Sequence, residues 1–305
     1  MYLVVTGGSG FIGTHLCKAL HQQGHKVVAV GPNPPNHENK EIVFIQTNLA
    51  EGEVPPVFAD CDAIIHLAGA NIFHRWTNNY KQLILDSRLT TAHAIYHFLL
   101  TQKKRPKSFI SASAVGFYGD RGDEILDEQS SYGTDFLAST CVACEKAREM
   151  FSSLGMRAVS IRTATVLSPD GGALSKMLPL FRWGLGGKLG HGTQWFPWIH
   201  IDDLVNIYMQ AACDLRIIGP INAAAPELIR NIEFTKTVGS ILKRPTILSI
   251  PSFVLRLGLG EFATVLLSSQ RVLPRALERL GFSFTYPTLQ KALTLSIYTA
   301  ATPKV

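Results

Sequence analysis

The stretch MYLVVTGGSGFIG at residues 1–13 decides the fold of this chain. The apolar and aromatic residues 2–5 predict a buried strand, and the glycines that follow predict a tight turn. The next segment has a helical apolar face, formed by Ile12, Leu16, Ala19 and Leu20. The order of strand, glycine turn and helix is the opening of a βαβ unit.

The glycine turn has the residue types that a dinucleotide phosphate requires. Gly7, Gly10 and Gly13 are spaced GxxGxxG, which differs from the GxGxxG of the general fingerprint. Glycines permit a tight turn, a close approach of the backbone to a pyrophosphate, and close packing of the helix on the strand. The turn therefore predicts dinucleotide binding, and the alternative is an ordinary glycine-rich turn.

Strand and helix patterns alternate through the first half of the chain. Further apolar strands are predicted at residues 26–30, 42–45, 63–67, 108–111 and 158–161, with long helices at about 78–102 and 135–153. Continuous apolar strands separated by helices indicate an α/β fold, a Rossmann-like doubly wound parallel sheet. After about residue 167 the alternation fades into glycine-rich loops and short helices. We predict a Rossmann domain over 1–167, with later strands returning from about 195–225, and a smaller C-terminal substrate lobe mainly over 168–305.

Composition narrows the classes of partner. Apolar residues are 46% of the 305 and charged residues 17%, and the net charge of +6 is spread along the chain, which argues against nucleic-acid binding. Five cysteines are few and odd in number, which favours a reducing, cytoplasmic compartment without disulfides. Residues 250–267 are apolar but include Pro251, Arg256 and Glu261, so no membrane span is expected. Because Met1 leads directly into the first strand, no signal peptide is expected.

The residues after the second strand bear on the choice between NADP and NAD. An acidic residue there would bind the 2′-hydroxyl of NAD and repel the 2′-phosphate of NADP. No acid occurs between Val30 and Glu38, so the sequence favours NADP(H). No arginine stands at the expected clamp position either, which leaves Asn33, His37 or Lys40 to help.

Several motifs, in order along the chain, match one family: residues 6–13, 66–69, 75–77, 86–88, 111–120, 162–163, 171–174, 184–187, 198–204 and 269–274. On these segments the chain resembles the YfcH-like epimerase family, atypical members of the extended short-chain dehydrogenase/reductase superfamily. The resemblance covers essentially the whole chain. It implies a Rossmann fold that binds NADP(H), and a C-terminal domain that closes over a small-molecule substrate.

The resemblance also implies which residues hold the cofactor. The positions that should meet the pyrophosphate are Gly7, Gly10, Phe11, Ile12 and Gly13. Those that should line the cofactor after the fourth strand are Leu67, Ala68 and Gly69, and Asn48 with Leu49 stands where the superfamily often carries Asp-Leu beside the adenine. By analogy with the superfamily, the two long helices could form a homodimer.

The catalytic pattern of the superfamily is only partly present. Ser113 occupies the serine position, but alignment on Glu145 puts Leu137 and Cys141 where Tyr-x-x-x-Lys should stand. This leaves two hypotheses: an NADP(H)-dependent oxidoreductase or nucleotide-sugar-type epimerase/dehydratase, or a cofactor-binding regulatory or sensor protein. The CxxC formed with Cys144 lies inside a helix, which favours structural thiols. No second pair of cysteines or histidines stands at the spacing that zinc ligands require.

Other side chains could substitute for the missing pair. Tyr118 is a candidate acid, with packing as its alternative, and His200 is a candidate proton shuttle, with helix capping beside an Asp202 N-cap as its alternative. Arg75 and Arg88 could clamp an anionic substrate, and surface ion pairing is the alternative.

Overall fold

The fold contains thirteen strands and eleven α-helices in the part that the structure, a computed structural model, describes, residues 1–35 and 41–299. The strands are β1 (Tyr2–Thr6), β2 (Lys26–Gly31), β3 (Val43–Gln46), β4 (Ala63–His66), β5 (Ser108–Ala114), β6 (Ile125–Leu126), β7 (Arg157–Thr163), β8 (Thr165–Ser168), β9 (Gly187–Leu189), β10 (Trp198–His200), β11 (Gly219–Ala223), β12 (Leu248–Ile250) and β13 (Arg271–Val272). The helices are α1 (Phe11–Gln22), α2 (Val57–Asp60), α3 (Asn78–Leu100), α4 (Phe136–Glu149), α5 (Gly172–Arg182), α6 (Ile201–Cys213), α7 (Asn231–Leu242), α8 (Ser252–Leu259), α9 (Ala263–Leu267), α10 (Arg275–Arg279) and α11 (Leu289–Thr299). None of the helices in this part combines the length and the apolar composition that a bilayer crossing requires.

The central sheet has seven parallel strands in the order β11-β7-β5-β4-β1-β2-β3. Val5 of β1 pairs with Ala29 of β2 on one side and with Ile65 of β4 on the other. The chain order reverses between β1 and β4, which opens a crevice at the carboxyl ends of these strands. The predicted Rossmann-like α/β fold is confirmed.

Helices cover both faces of the sheet, which explains why its strands are continuously apolar. Leu3 and Val5 pack into one core with α1 and α6, while Val4 packs into the opposite core with α3. Successive strand residues point to opposite faces, so a strand buried on both sides needs apolar residues throughout. The glycine turn after β1 is therefore anchored on a rigid strand.

The C-terminal part builds a second core. It is formed by side chains of β8, β10, α5, α7 and α11, among them Leu174, Trp198, Phe234 and Leu293. Of the strands in residues 195–225, β11 joins the edge of the central sheet beside β7, whereas β10 pairs with β8 outside it. The short strand β13 pairs with β6, which fastens this part to the loop after β5.

The long predicted helices are shorter than their patterns suggested. The helix expected to end at about residue 102 ends at Leu100, and the one expected to reach about 153 leaves α-helical geometry after Glu149. A 3₁₀ turn, Met150–Leu154, follows α4 and ends at Gly155 in the left-handed conformation. Glycine adopts this conformation without the steric cost that other residues incur, so the turn stops the helix.

Candidate functional site

The glycine turn lies against the loop that follows β4. Gly7 has φ +67°, and its N–H donates to the carbonyl oxygen of Val30 at 2.8 Å. A Cβ at Gly7 would lie 2.9 Å from the backbone nitrogen of Ala68, so the turn needs glycine for both conformation and space. The turn and the β4 loop therefore form one continuous backbone surface at the sheet crevice.

Gly10 and Gly13 place the start of α1 at this surface. Gly10 is the N-cap residue and provides no side-chain cap, and its N–H donates to the Gly7 carbonyl oxygen at 2.9 Å. A Cβ at Gly13 would lie 2.2 Å from that same oxygen. An uncapped helix N-terminus that the backbone can approach closely is an anion site, and it suits a pyrophosphate.

Phe11 and Ile12 contribute to this site through their backbone. The Phe11 ring packs on a second glycine turn, because a Cβ at Gly171 would lie 2.4 Å from its Cδ2 atom. Ile12 packs against the core between the sheet and α1. The side chains thus hold α1 in place, and the N-cap residue offers no side chain to the N–H groups of the first turn.

The residues predicted to line the cofactor after β4 lie beside the glycine turn. The N–H of Leu67 donates to the Thr6 carbonyl oxygen at 3.1 Å, and that of Ala68 to the Thr6 hydroxyl at 3.3 Å. Gly69 is exposed, and a Cβ there would lie 2.8 Å from Cζ of Arg88. The structure therefore brings the two backbone segments together as the sequence predicted.

The residues predicted near the adenosine are placed differently from one another. Asn48 is exposed and its Oδ1 accepts from the Ala50 N–H at 3.2 Å, whereas the Leu49 side chain is buried in the core. Asn33 is exposed after β2. The other two candidates for the 2′-phosphate, His37 and Lys40, and the acid Glu38 lie outside the described residues.

Ser113 belongs to a buried ionic network. Its hydroxyl donates to Oε1 of Glu145 at 2.8 Å. Arg162 holds the same carboxylate through two bonds, from Nε at 2.9 Å and from Nη2 at 2.8 Å. Glu145 and Arg162 are 6% and 4% exposed, so this bidentate pair is shielded from solvent. The serine hydrogen is committed to a carboxylate, which leaves the oxygen lone pairs of Ser113 to accept from a ligand.

Tyr118 extends this network away from the crevice. Its side chain is fully buried, its hydroxyl donates to Oδ1 of Asn222 at 2.7 Å, and Arg162 donates to it at 2.9 Å. Burial raises the pKa of Tyr118 to about 12. The buried hydroxyl already makes two hydrogen bonds, which favours the packing role of Tyr118 over the acid role.

The positions of the missing Tyr and Lys form an apolar wall. Leu137 packs on the turn after β5, where a Cβ at Gly116 would lie 2.4 Å from its Cδ2 atom. Burial raises the pKa of Cys141 to about 12 and that of Cys144 to about 11. Both thiols are therefore protonated near neutral pH, and thiols of this kind are inert as nucleophiles.

His200 caps a helix, and the prediction that Asp202 is the N-cap was wrong. His200 is the N-cap of α6, and its Nδ1 accepts from the Asp202 N–H at 3.2 Å. The imidazole is 3% exposed and its ring centroid lies 3.9 Å from that of Tyr286. Packing and capping thus account for this histidine.

The two arginines singled out in the sequence have different surroundings. Arg75 is exposed, and its side chain lies along Gly260 of the C-terminal part. Arg88 is partly buried and donates to two backbone carbonyls, those of Ile84 at 2.7 Å and Ala70 at 3.0 Å. Arg88 therefore supports the β4 loop by hydrogen bonds to backbone carbonyls. This arrangement differs from both predicted roles, a surface ion pair and a clamp for an anionic substrate.

A cleft of about 580 Å³ lies between the loop after β5 and the C-terminal part. Its lining includes the charged residues Asp120, Asp123, Asp135, Arg230 and Arg256, together with His191. Asp123 accepts from Arg230 at 2.9 Å, and Asp120 accepts from the Ser269 N–H at 3.1 Å, so carboxylates of the first half hold loops of the second. Sequence spacing does not group such residues, since Asp120 and Ser269 are 149 positions apart.

The buried His66 makes the stability of the fold depend on pH. Burial lowers its pKa from the ordinary 6.5 to about 4, while the unfolded chain takes up the proton near 6.5. Its stabilising contribution is thus complete above pH 6.5 and is lost as the pH falls toward 4. We expect the free energy of unfolding to drop by up to about 3 kcal/mol over that interval from this residue.

Chemical denaturation at several pH values measures this dependence. His66→Gln should flatten the slope between pH 6.5 and 4, whereas His97→Gln, at an exposed position of α3, should leave it unchanged. Equal slopes in the wild type and His66→Gln would contradict the assignment.

Known proteins match this chain along most of its length. Residues 3–219 match the profile of the NAD dependent epimerase/dehydratase family, and residues 250–294 match a domain of unknown function. An epimerase family protein of Mycobacterium bovis is 39% identical over 294 residues, which cover 95% of this chain and 96% of that protein. Epimerase family protein YfhF of Bacillus subtilis is 36% identical over 96% of this chain and 97% of its own. The human epimerase family protein SDR39U1, solved with NADPH, superposes with a TM-score of 0.87 at 33% identity and covers 98% of this chain and 99% of its own.

Proposed function

The chain belongs to the NAD dependent epimerase/dehydratase family, and we propose that it binds NADP(H) and acts as an atypical short-chain dehydrogenase/reductase on a small molecule. The reaction class is an oxidoreduction or a nucleotide-sugar-type epimerisation or dehydration. The observation that supports this proposal is the continuous backbone surface that the glycine turn forms with the β4 loop. Its glycines are required for this surface, because a Cβ at Gly7 or Gly13 would collide with the backbone of the β4 loop or of the turn itself.

The residues of this surface fit the cofactor. The N–H groups at the start of α1 would hold the pyrophosphate, and the segment from Leu67 to Gly69 would lie along the nicotinamide half. When bound, the cofactor supplies a hydride acceptor or donor. The human relative solved with NADPH supports NADP(H), as does the lack of an acid between Val30 and Glu38.

Ser113 is the polar group of the family pattern that this chain retains. Because Glu145 takes its hydrogen, Ser113 is set to accept a hydrogen bond from a substrate hydroxyl and so to orient the carbon that bears it. Leu137 and Cys141 cannot exchange a proton at this place near neutral pH. Proton transfer therefore falls to a water or to a carboxylate of the cleft.

The absence of the Tyr-x-x-x-Lys pair favours a second candidate function. A chain with an intact backbone surface for the cofactor and an apolar wall at the catalytic positions could serve as a sensor of the NADPH/NADP ratio. Turnover separates the two functions, because a sensor binds the cofactor without oxidising it.

Single-turnover oxidation of bound NADPH tests the enzyme function. The purified protein is loaded with NADPH and mixed with a panel of carbonyl metabolites, or loaded with NADP and mixed with nucleotide sugars, and absorbance of the reduced nicotinamide is followed. With a metabolite that reacts, Ser113→Ala should slow the step by about 100-fold and leave NADPH affinity unchanged. Ser139→Ala, on the exposed face of α4, is the matched control. An unchanged rate in Ser113→Ala would remove this residue from the reaction, and NADPH binding without any turnover would favour the sensor.

A further inference from the structure

We propose that a small monovalent inorganic anion, of the size of chloride, binds in a polar cavity between the sheet and helices α3 and α4. The cavity has a volume of about 50 Å³, and Leu67 and Ala68 are among the residues that line it. Its polar lining comes from His66 at the end of β4, from Ser111 in the middle of β5, and from Arg88, Cys144 and Arg148 on the helices. This site does not depend on the proposed cofactor or reaction.

Two buried polar atoms of residues that line this cavity make no hydrogen bond within the described part of the chain. They are Oγ of Ser111, which is 4% exposed, and Nε of Arg148, which is 6% exposed. Leaving such groups unsatisfied away from water is costly, so each calls for a ligand. A hydroxyl can donate and a guanidinium nitrogen can only donate, which suits an acceptor without hydrogens.

The charges around the cavity are positive. In the part of the chain that the structure describes, no carboxylate is paired with Arg88, whose bonds go to the carbonyls of Ile84 and Ala70. Among the described residues, Arg148 bonds to the carboxylate of Glu149, whose side chain is 65% exposed and therefore outside the cavity. The buried carboxylate of Glu145 also acts on Arg148, but it is bound by Arg162. The positive charge of the two guanidinium groups at the cavity is therefore compensated only in part.

The remaining lining groups supply no negative charge. Burial keeps the imidazole of His66 neutral near pH 7 and keeps the thiol of Cys144 protonated. A buried charge without a counterion is unfavourable, and an anion in the cavity would offset that cost for Arg88 and Arg148 together.

The volume limits the ligand to a small ion. A water needs about 10–15 Å³ of such space, so 50 Å³ admits a halide together with one or two waters. A sugar acid or a nucleotide phosphate would not fit. Arg88 and Ser87 both hold Ala70, through its carbonyl at 3.0 Å and its N–H at 2.9 Å, so the anion would also brace the loop that follows β4.

Thermal unfolding in chloride and in gluconate tests the site, because gluconate carries the same charge but is too large to enter. At constant ionic strength and without cofactor, we expect Tm to rise by about 2–5 °C in chloride, with saturation. Arg88→Met should abolish this rise. Arg105→Met is the matched control, since Arg105 also donates to two backbone carbonyls, those of Leu99 and Leu100, but lies away from the cavity.

A bromide soak of wild-type crystals keeps the proposal testable if Arg88→Met does not fold. The expected result is an anomalous difference peak inside the cavity, in contact with Arg88 or Arg148, at the lowest bromide concentration that saturates the thermal shift. Waters alone in the cavity, equal Tm in both salts, or an equal loss of the rise in Arg105→Met would overturn the proposal.

Discussion

Replacing Gly10 by aspartate is expected to weaken NADPH binding by roughly 100- to 1,000-fold without destabilising the protein. Gly10 is the N-cap of α1 and has no side-chain cap of its own. Aspartate is a favourable N-cap residue, so the helix should be at least as stable as before. Its carboxylate would then occupy the anion site that the pyrophosphate needs and repel it.

The matched variant is Gly10→Asn, which has nearly the same shape and caps a helix equally well but carries no charge. A Cβ at Gly10 would lie 3.2 Å from the Gly7 carbonyl oxygen, a contact that a small shift relieves. We therefore expect Gly10→Asn to weaken NADPH binding tenfold or less, which corresponds to about 1.4 kcal/mol or less of binding free energy.

Isothermal titration calorimetry with NADPH, NADP, NADH and NAD measures these affinities, and thermal unfolding without cofactor measures the stability. An aspartate variant that binds NADPH as tightly as the wild type would mean that the pyrophosphate does not lie at the start of α1. Equal losses in the aspartate and asparagine variants would mean that bulk, and not charge, closes the site.

The glycine turn was predictable because its determinants are local in sequence. Strand, glycines and helix lie within residues 2–22, and Gly7 and Gly13 are required by backbone contacts with the neighbouring β4 loop or inside the turn. Parallel pairing of apolar strands then fixes where their carboxyl ends meet. The position of Leu67 to Gly69 beside Gly7 follows from that topology alone.

The surroundings of the polar side chains were not predictable in the same way. Ser113, Glu145 and Arg162 lie on three different elements, and their contacts depend on side-chain directions that spacing does not reveal. Tyr118 illustrates the point, because its motif places it close to Ser113 along the chain while its hydroxyl points to Asn222, 104 positions later. Burial and partner choice are tertiary properties, and they decide whether a tyrosine packs or reacts.

Removing the carboxylate of Glu145 is expected to lower the free energy of unfolding by about 3–5 kcal/mol. In Glu145→Leu the guanidinium of Arg162, 4% exposed, would keep its charge but lose both charged hydrogen bonds. The Ser113 hydroxyl would lose its acceptor as well. An uncompensated buried cation is far more costly than the net strength of the pair that it replaces.

Two further variants separate this effect from the loss of a side chain. Glu278→Leu removes the carboxylate of α10 that pairs with Arg275, in an ion pair exposed to solvent, and should cost no more than about 1 kcal/mol. The double variant Glu145→Leu/Arg162→Met removes both buried charges and should recover much of the loss. Recovery will be incomplete, because Arg162 also donates to Tyr118 and lies 3.5 Å from the ring centroid of Phe117.

Urea-induced unfolding of the four proteins, with NADPH omitted, gives these free energies. If Glu145→Leu costs no more than Glu278→Leu, the carboxylate is not a buried counterion. If the double variant is less stable than Glu145→Leu, the bonds of Arg162 to Tyr118 and its contact with Phe117 outweigh the relief of its charge. A large loss of stability in Glu145→Leu that the double variant recovers would make Glu145 the residue that holds Ser113 and the turn after β5 in one arrangement. This would hold whether or not a substrate reacts there.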